Sequence, residues 1–162
     1  MADRAVRPLT VQPCAVSPGA EGVAPDQHHL FPAETDAVRR TLAAVTGWLH
    51  RLPEPPAEPA TVELVLAELL NNVVEHACAT LPGRVIGLEL WSGRGGLACR
   101  ITDDGRPMPG GRLPRQWMPP PETLPEGGFG WPLVTALARD LAYRRDGGQN
   151  VLSLRICPGS GT

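Results

Sequence analysis

The chain has 162 residues, enough for one domain with a real core and no disulfide or metal staples. Its 15 Lys and Arg against 17 Asp and Glu leave a formal charge of -2, which excludes a general nucleic-acid or membrane-surface binder, and no 18-residue apolar run or signal segment interrupts it. Cys14, Cys78, Cys99 and Cys157 form no C-x-x-C pair, so free thiols and a cytoplasmic location are expected.

Residues 1–27 carry a proline cluster at 8–25 and are expected to form a loosely attached arm, because proline and small polar residues bury too little apolar area to offset ordering. Residues 28–162 then make the single domain. His28 and His29 stand at the junction, in the arm or in a short first strand. Val38, Leu42, Val45 and Leu49 predict a helix over 35–52 with Thr35 as its N-cap. Its stripe, with Arg39, Arg40 and Arg51 beside it, is either internal or a homodimer contact. PEPPAEP at 53–59 is a stiff connector. Thr61 opens a second helix with Val62, Val65, Leu66, Leu69, Leu70, Val73 and Ala77 as its buried stripe. Glu68, Asn72 and His76 follow at four-residue intervals along the edge of that stripe, each rung about 6 Å above the last. Such a row can hold a base and a metal ligand beside a pocket; it equally suits the solvated side of an amphipathic helix.

After Pro82 and Gly83 the pattern turns to alternation, and VIGLELW and LACRITD predict a hairpin through SGRGG. ITDDGRP ends the second strand. Asp103 there can accept a hydrogen bond from an exocyclic amine, and Gly105 lets the backbone approach the same ring; an ordinary turn is the alternative. A loop over about 106–128 comes next, too long for a plain connection. From 107 to 128 its cations are Arg112 and Arg115 alone. GGFGWPLV then sets glycines before a helix over 131–141, whose free N–H groups suit an anion, unless the glycines serve only as a hinge. LAYRRD and NVLSLRIC predict a last hairpin around GGQ, with Val151, Ser153 and Arg155 on a polar face. The order of elements is α+β: a two-layer sandwich, its mixed or antiparallel sheet covered by helices on one face.

Taken together, these motifs have the layout of the GHKL (Bergerat) ATP-binding fold, which the chain resembles over most of residues 28–157. The spacing of AELLNNVVEHA resembles the anti-sigma factor serine/threonine kinases of bacterial partner-switching systems. That resemblance implies ATP and Mg²⁺ as cofactors, Glu68 as general base, Asn72 as the Mg²⁺ ligand and His76 as a support for the helix end. It implies Asp103 as acceptor for the adenine amine with Gly105 beside the base. Gly128, Phe129 and Gly130 would form the phosphate turn, Asn150 would face the adenine side, and Arg112 or Arg115 would reach the γ-phosphate. The implied partners are an anti-anti-sigma antagonist, which is phosphorylated, and a sigma factor, which is sequestered, with no direct nucleic acid or membrane.

Three departures bear on turnover, one of them the proline-rich loop itself with Arg112 and Arg115 as its cations. Pro107 replaces a glycine the family often carries, which stiffens the start of the loop. Trp131-Pro132 stands where an aliphatic residue is commoner, with Trp131 filling the core or covering the nucleotide. An ATP-binding regulatory module without phosphoryl transfer is therefore the alternative. A detached histidine-kinase domain lacks room for the helices that display an acceptor histidine, and His28, His29, His50 and His76 lack metal-ligand spacing for a hydrolase.

Overall fold

Alternating apolar residues build the sheet, and three-and-four spaced ones build its cover. A computed structural model describes residues 22–114 and 130–158. In chain order it contains β1 (Gln27–Pro32), α1 (Thr35–Arg51), α2 (Pro59–Asn72), β2 (Val85–Gly93), β3 (Gly96–Asp103), α3 (Gly130–Leu137), β4 (Ala138–Asp146) and β5 (Gln149–Ile156). The strands form one sheet in the order β1-β2-β3-β5-β4, with every neighbouring pair antiparallel. Of the two expected sheet types, the antiparallel one is present.

Ile86, Leu88 and Leu90 of β2 alternate toward the helices, as do Leu97, Cys99 and Ile101 of β3 and Leu152, Leu154 and Ile156 of β5. Against them α1 buries Val38, Leu42, Val45 and Leu49, and α2 buries Val62, Val65, Leu66, Leu69 and Leu70. Each such Leu or Val gains about 1.5–3 kcal/mol over leaving it in water. The apolar stripe of α1 is therefore used inside the protomer, which closes the option of a homodimer through that stripe.

Several local expectations need correction. Thr35 is the first residue of α1 rather than its cap; Glu34 holds the cap position without a side-chain hydrogen bond, and Asp36 supplies the favourable first-turn charge. Similarly, α2 begins at Pro59, not Thr61, because proline loses nothing in a first turn where the N–H has no helical partner. The helix expected over 131–141 stops at Leu137. Ala138 and Arg139 pair instead with Ile156 and Arg155, and a bulge follows in which Asp140 takes φ 54°, a conformation aspartate tolerates better than most residues. At the other end of the chain's described part, residues 23–26 are tied to β2. Trp91 Nε1 donates to the Val23 carbonyl at 3.1 Å, and Ser92 donates twice to Asp26 Oδ2.

The face of the sheet away from the helices is less exposed than the alternation predicts. Arg155 is only 6% exposed, with its Nε 3.0 Å from Asp140 Oδ2. Trp91 is 4% exposed, and the Arg100 guanidinium lies 5.2 Å from its ring centroid. Cys78 and Cys99 are buried thiols and Cys157 is exposed. Among the described residues, no helix is long and apolar enough to cross a membrane.

The sheet register positions the site. One cross-strand row runs Phe31, Ile86, Asp103, Asn150, Arg145, so the last residue of β3 and the second of β5 are direct neighbours.

Candidate functional site

The helix carrying the Glu68, Asn72, His76 row does not keep α geometry to its end. From Val73 to Ala77 it widens into a π turn, closed by the Cys78 N–H to the Val73 carbonyl at 2.9 Å. Val73 and Ala77, expected in the buried stripe, are consequently only half-buried and face a cavity. The Ala77 carbonyl is capped from another part of the chain, by the Arg106 N–H at 2.8 Å. This brings the segment after β3 against the helix end. Gly105 sits at the point of contact: a Cβ there would meet the Ala77 carbonyl oxygen, lie 2.7 Å from its carbon and 2.9 Å from Asp103 Oδ1. Glycine is required by proximity.

Above this corner lies a cavity of about 470 Å³, lined by Asn72 and His76 from the helix, Asp103 and Asn150 from the sheet, Met108 from the segment after β3 and Trp131 from α3. Its lining is largely apolar with few polar groups, the usual make-up of a small-molecule site. A second, larger depression of about 740 Å³ lies over residues 30–34 and 78–85, and none of the sequence-predicted residues line it.

Asp103 is the best-defined group. Its Oδ1 accepts from the Gly105 N–H at 2.9 Å and from Asn150 Nδ2 at 2.8 Å, and its Oδ2 has no hydrogen bond to any described residue. Asn150 is itself held on four sides: Nδ2 also donates to the Arg106 carbonyl at 2.8 Å, while Oδ1 accepts from Tyr143 Oη at 2.7 Å and Arg145 Nη1 at 2.8 Å. The acidic pair is split by environment. Burial pushes the Asp103 carboxyl above the usual carboxylate range, opposed by its two hydrogen bonds, whereas Asp104 turns outward to Arg84 at 3.0 Å and is held below it.

A raised folded pKa means that the native state binds the proton the unfolded chain has already released. Stability should therefore fall as pH rises from the ordinary aspartate value of about 3.9 through the raised one. Urea unfolding across that window should show a smaller decline for Asp103→Asn than for the wild type; identical slopes would remove Asp103 as the cause.

The remaining predicted residues fall into three groups. Asn72 and Glu68 meet the start of α3. A Cβ on Gly130 would stand 2.7 Å from Glu68 Oε2 and 3.7 Å from Asn72 Nδ2. Asn72 Nδ2 is buried with no hydrogen-bond partner among the described residues, and Glu68 touches this junction without lining the cavity. His76 is exposed on the π turn, and Trp131 both lines the cavity and packs on the core. Arg112 is exposed and does not line the cavity. Gly128, Phe129 and Arg115 lie outside the described residues, as do 115–128 of the expected loop. Residues 106–114 of that loop form a cavity wall with a 3₁₀ turn at Pro109–Gly111.

Tyr143, Arg145 and Met108 belong to the site and were not expected from sequence. Cross-strand counting back from Asn150 finds Arg145, its direct partner in β4.

Residues 31–156 match the model of the histidine kinase-like ATPase domain. The chain has no significant match among curated proteins. Its fold is similar to that in the crystal structure of the RsbU and RsbW domains of Rv1364c from Mycobacterium tuberculosis, with a TM-score of 0.53 and 19% identity, covering 81% of this chain and 32% of that one. The histidine kinase domain of the Erythrobacter litoralis EL346 blue-light activated histidine kinase aligns with a TM-score of 0.44 and 21% identity, covering 78% of this chain and 61% of that one. The chain thus spans about a third of the first structure and less than two thirds of the second.

Proposed function

Because the chain belongs to the histidine kinase-like ATPase domain family, a GHKL-type ATPase, we propose that it binds Mg-ATP in the cavity over Asp103 and transfers the γ-phosphoryl group to a serine or threonine of a protein antagonist. The observation that carries this reading is that one cavity is lined both by the pinned carboxylate of Asp103 and by Asn72, which in turn meets Glu68 and the start of α3 at Gly130 just outside it. Asp103 Oδ2 accepts the adenine amine. The α3 N-terminus offers N–H groups to the phosphates.

The donor chemistry fits a divalent cation held mainly by phosphate. Among the described residues no group of three His, Cys, Asp or Glu side chains can hold a metal, but Asn72 has a buried amide with an unmet polar atom. Its nitrogen and oxygen exchange places by a flip, so its oxygen can be offered to Mg²⁺. When bound, Mg²⁺ would neutralise charge on the phosphates. Glu68, one turn from Asn72, takes the proton from the acceptor hydroxyl. The hydroxyl oxygen bonds to the γ-phosphorus, the bond to the β–γ bridging oxygen breaks, and ADP leaves.

In cellular terms the proposal is an anti-sigma kinase of a partner switch, in the cytoplasm. Its antagonist is an anti-anti-sigma protein, its other partner a sigma factor or equivalent regulator, and it makes no direct contact with nucleic acid. The RsbW name of one domain in the similar structure supports this choice. Residues 28–162 would be the catalytic unit and 1–27 its arm. With the antagonist and Mg-ATP supplied, Glu68→Gln should reduce phosphoserine or phosphothreonine formation by about 100-fold or more, scored by mass spectrometry, while ATP still binds. Asn72→Ala should remove the Mg²⁺ dependence of binding. Transfer by Glu68→Gln at the wild-type rate would sink the assigned base.

One observation favours a second reading. Glu68 Oε2 lies against the start of α3 instead of lining the cavity, and Pro107 stiffens the adjoining wall. An ATP-sensing module that binds a partner without transfer would show tight ATP binding and no phosphoprotein with any antagonist.

A further inference from the structure

Tyr143 has no part in the reading above. Its ring is half-buried in the cavity wall, and its hydroxyl is shared between two elements: Oη donates to Asn150 Oδ1 at 2.7 Å and accepts the Met108 N–H at 3.0 Å. The first bond, together with one from the Arg145 guanidinium to the same oxygen, fixes which way the Asn150 amide faces. With Oδ1 taken by Tyr143 and Arg145, Nδ2 is the atom left to face Asp103 Oδ1 and the Arg106 carbonyl, and it bonds both at 2.8 Å. The flipped amide would set oxygen against oxygen at both contacts. The orientation of Asn150 in turn fixes Asp103 Oδ1 as an acceptor, which leaves Oδ2 for a ligand. The second bond anchors residues 106–114 at Met108, beside the same ligand space.

Arg145 donates to the same Asn150 oxygen, but it is exposed and also serves the Gly105 carbonyl at 3.0 Å. Its hold is weakened by competition with water. Among the described residues, Tyr143 alone joins Asn150 to Met108.

We infer that Tyr143 is a positioning residue that sets base specificity: through Asn150 it aims Asp103 at an exocyclic amine, and through Met108 it holds the adjoining wall against the base. The inference rests on the ATP reading of the cavity. In inosine triphosphate a carbonyl replaces the adenine amine, so it is the probe that separates aiming from mere packing. The full chain and its Tyr143→Phe variant, titrated calorimetrically with Mg-ATP and Mg-ITP, should differ selectively. Affinity for ATP should fall about fivefold and that for ITP by less than about twofold, the scale of one lost hydrogen bond, and the Met108 amide should exchange faster.

An equal loss for both nucleotides, or no loss for either, would overturn the inference while leaving ATP binding intact. A wild type that does not prefer ATP to ITP would overturn the Asp103 reading, and the inference with it. Thermal midpoints of the two proteins within a few degrees would show that the selective loss does not come from unfolding.

Discussion

Replacing Asp103 with asparagine is expected to weaken ATP binding by about 100-fold while leaving the fold intact, because it removes an acceptor and installs a donor at the same point. The two N–H groups that fix Oδ1, from Gly105 and Asn150, would be met equally well by the asparagine oxygen. The variant's NH₂ then occupies the position of Oδ2 and faces the ligand. Against an adenine amine this is donor against donor. Against the carbonyl of hypoxanthine it is a matched pair, so affinity for ITP should hold or rise. The magnitude is the upper end of the roughly 1–3 kcal/mol that an unsatisfied buried donor costs. Titration with both nucleotides decides it; a variant that binds ATP as the wild type does would remove Asp103 from base recognition.

A second large effect is expected from one added methyl group. In Gly105→Ala the new carbon would press on the Ala77 carbonyl, 2.7 Å from its carbon, and on Asp103 Oδ1 at 2.9 Å. Ala77 is backbone at the end of the π turn and its carbonyl is bonded to the Arg106 N–H, so nothing at this contact yields cheaply. The variant should lose about 3 kcal/mol of stability, roughly 10 °C in thermal midpoint, and nucleotide binding with it. Gly130→Ala is the instructive contrast. Its close neighbour is Glu68 Oε2, the free end of a flexible side chain, so its effect should fall on turnover far more than on the midpoint. Equal midpoints for Gly105→Ala and wild type would mean that the helix end gives way freely.

Helix and strand periodicity carried much of the architecture, since Val38 to Leu49 and Val62 to Leu70 repeat at helical spacing and Ile86 to Leu90 alternate. Asp103 and Asn150 were visible singly as polar residues at strand ends. That they are neighbours depends on which strand lies next to β3, and β5 reaches that place by passing over β4 in sequence. Tyr143 was hidden for a different reason. β4 begins inside a stretch patterned as helix, and the bulge between Arg139 and Ala142 shifts its register, so its faces cannot be counted from the helix side and Tyr143 is reached only from the hairpin. Arg145 was reachable by counting back from the last hairpin. The π turn leaves no mark in composition, because VVEHA is as compatible with an ordinary α turn as with a wide one.

That wide turn makes the site sensitive to local helix pitch as well as to residue identity. An α turn closes on the fourth residue and a π turn on the fifth, so one residue between Val73 and Ala77 acts as a spacer. Were the same residues to rewind to ordinary α pitch with none removed, everything beyond would rotate by roughly 100° and advance along the axis by about 1.5 Å. The Ala77 carbonyl would then swing away from the Arg106 N–H, and the corner at Gly105 would lose the surface it was shaped to fit. A chain with every named side chain retained, but with this turn wound as α, would carry the chemical groups of the pocket without the pocket.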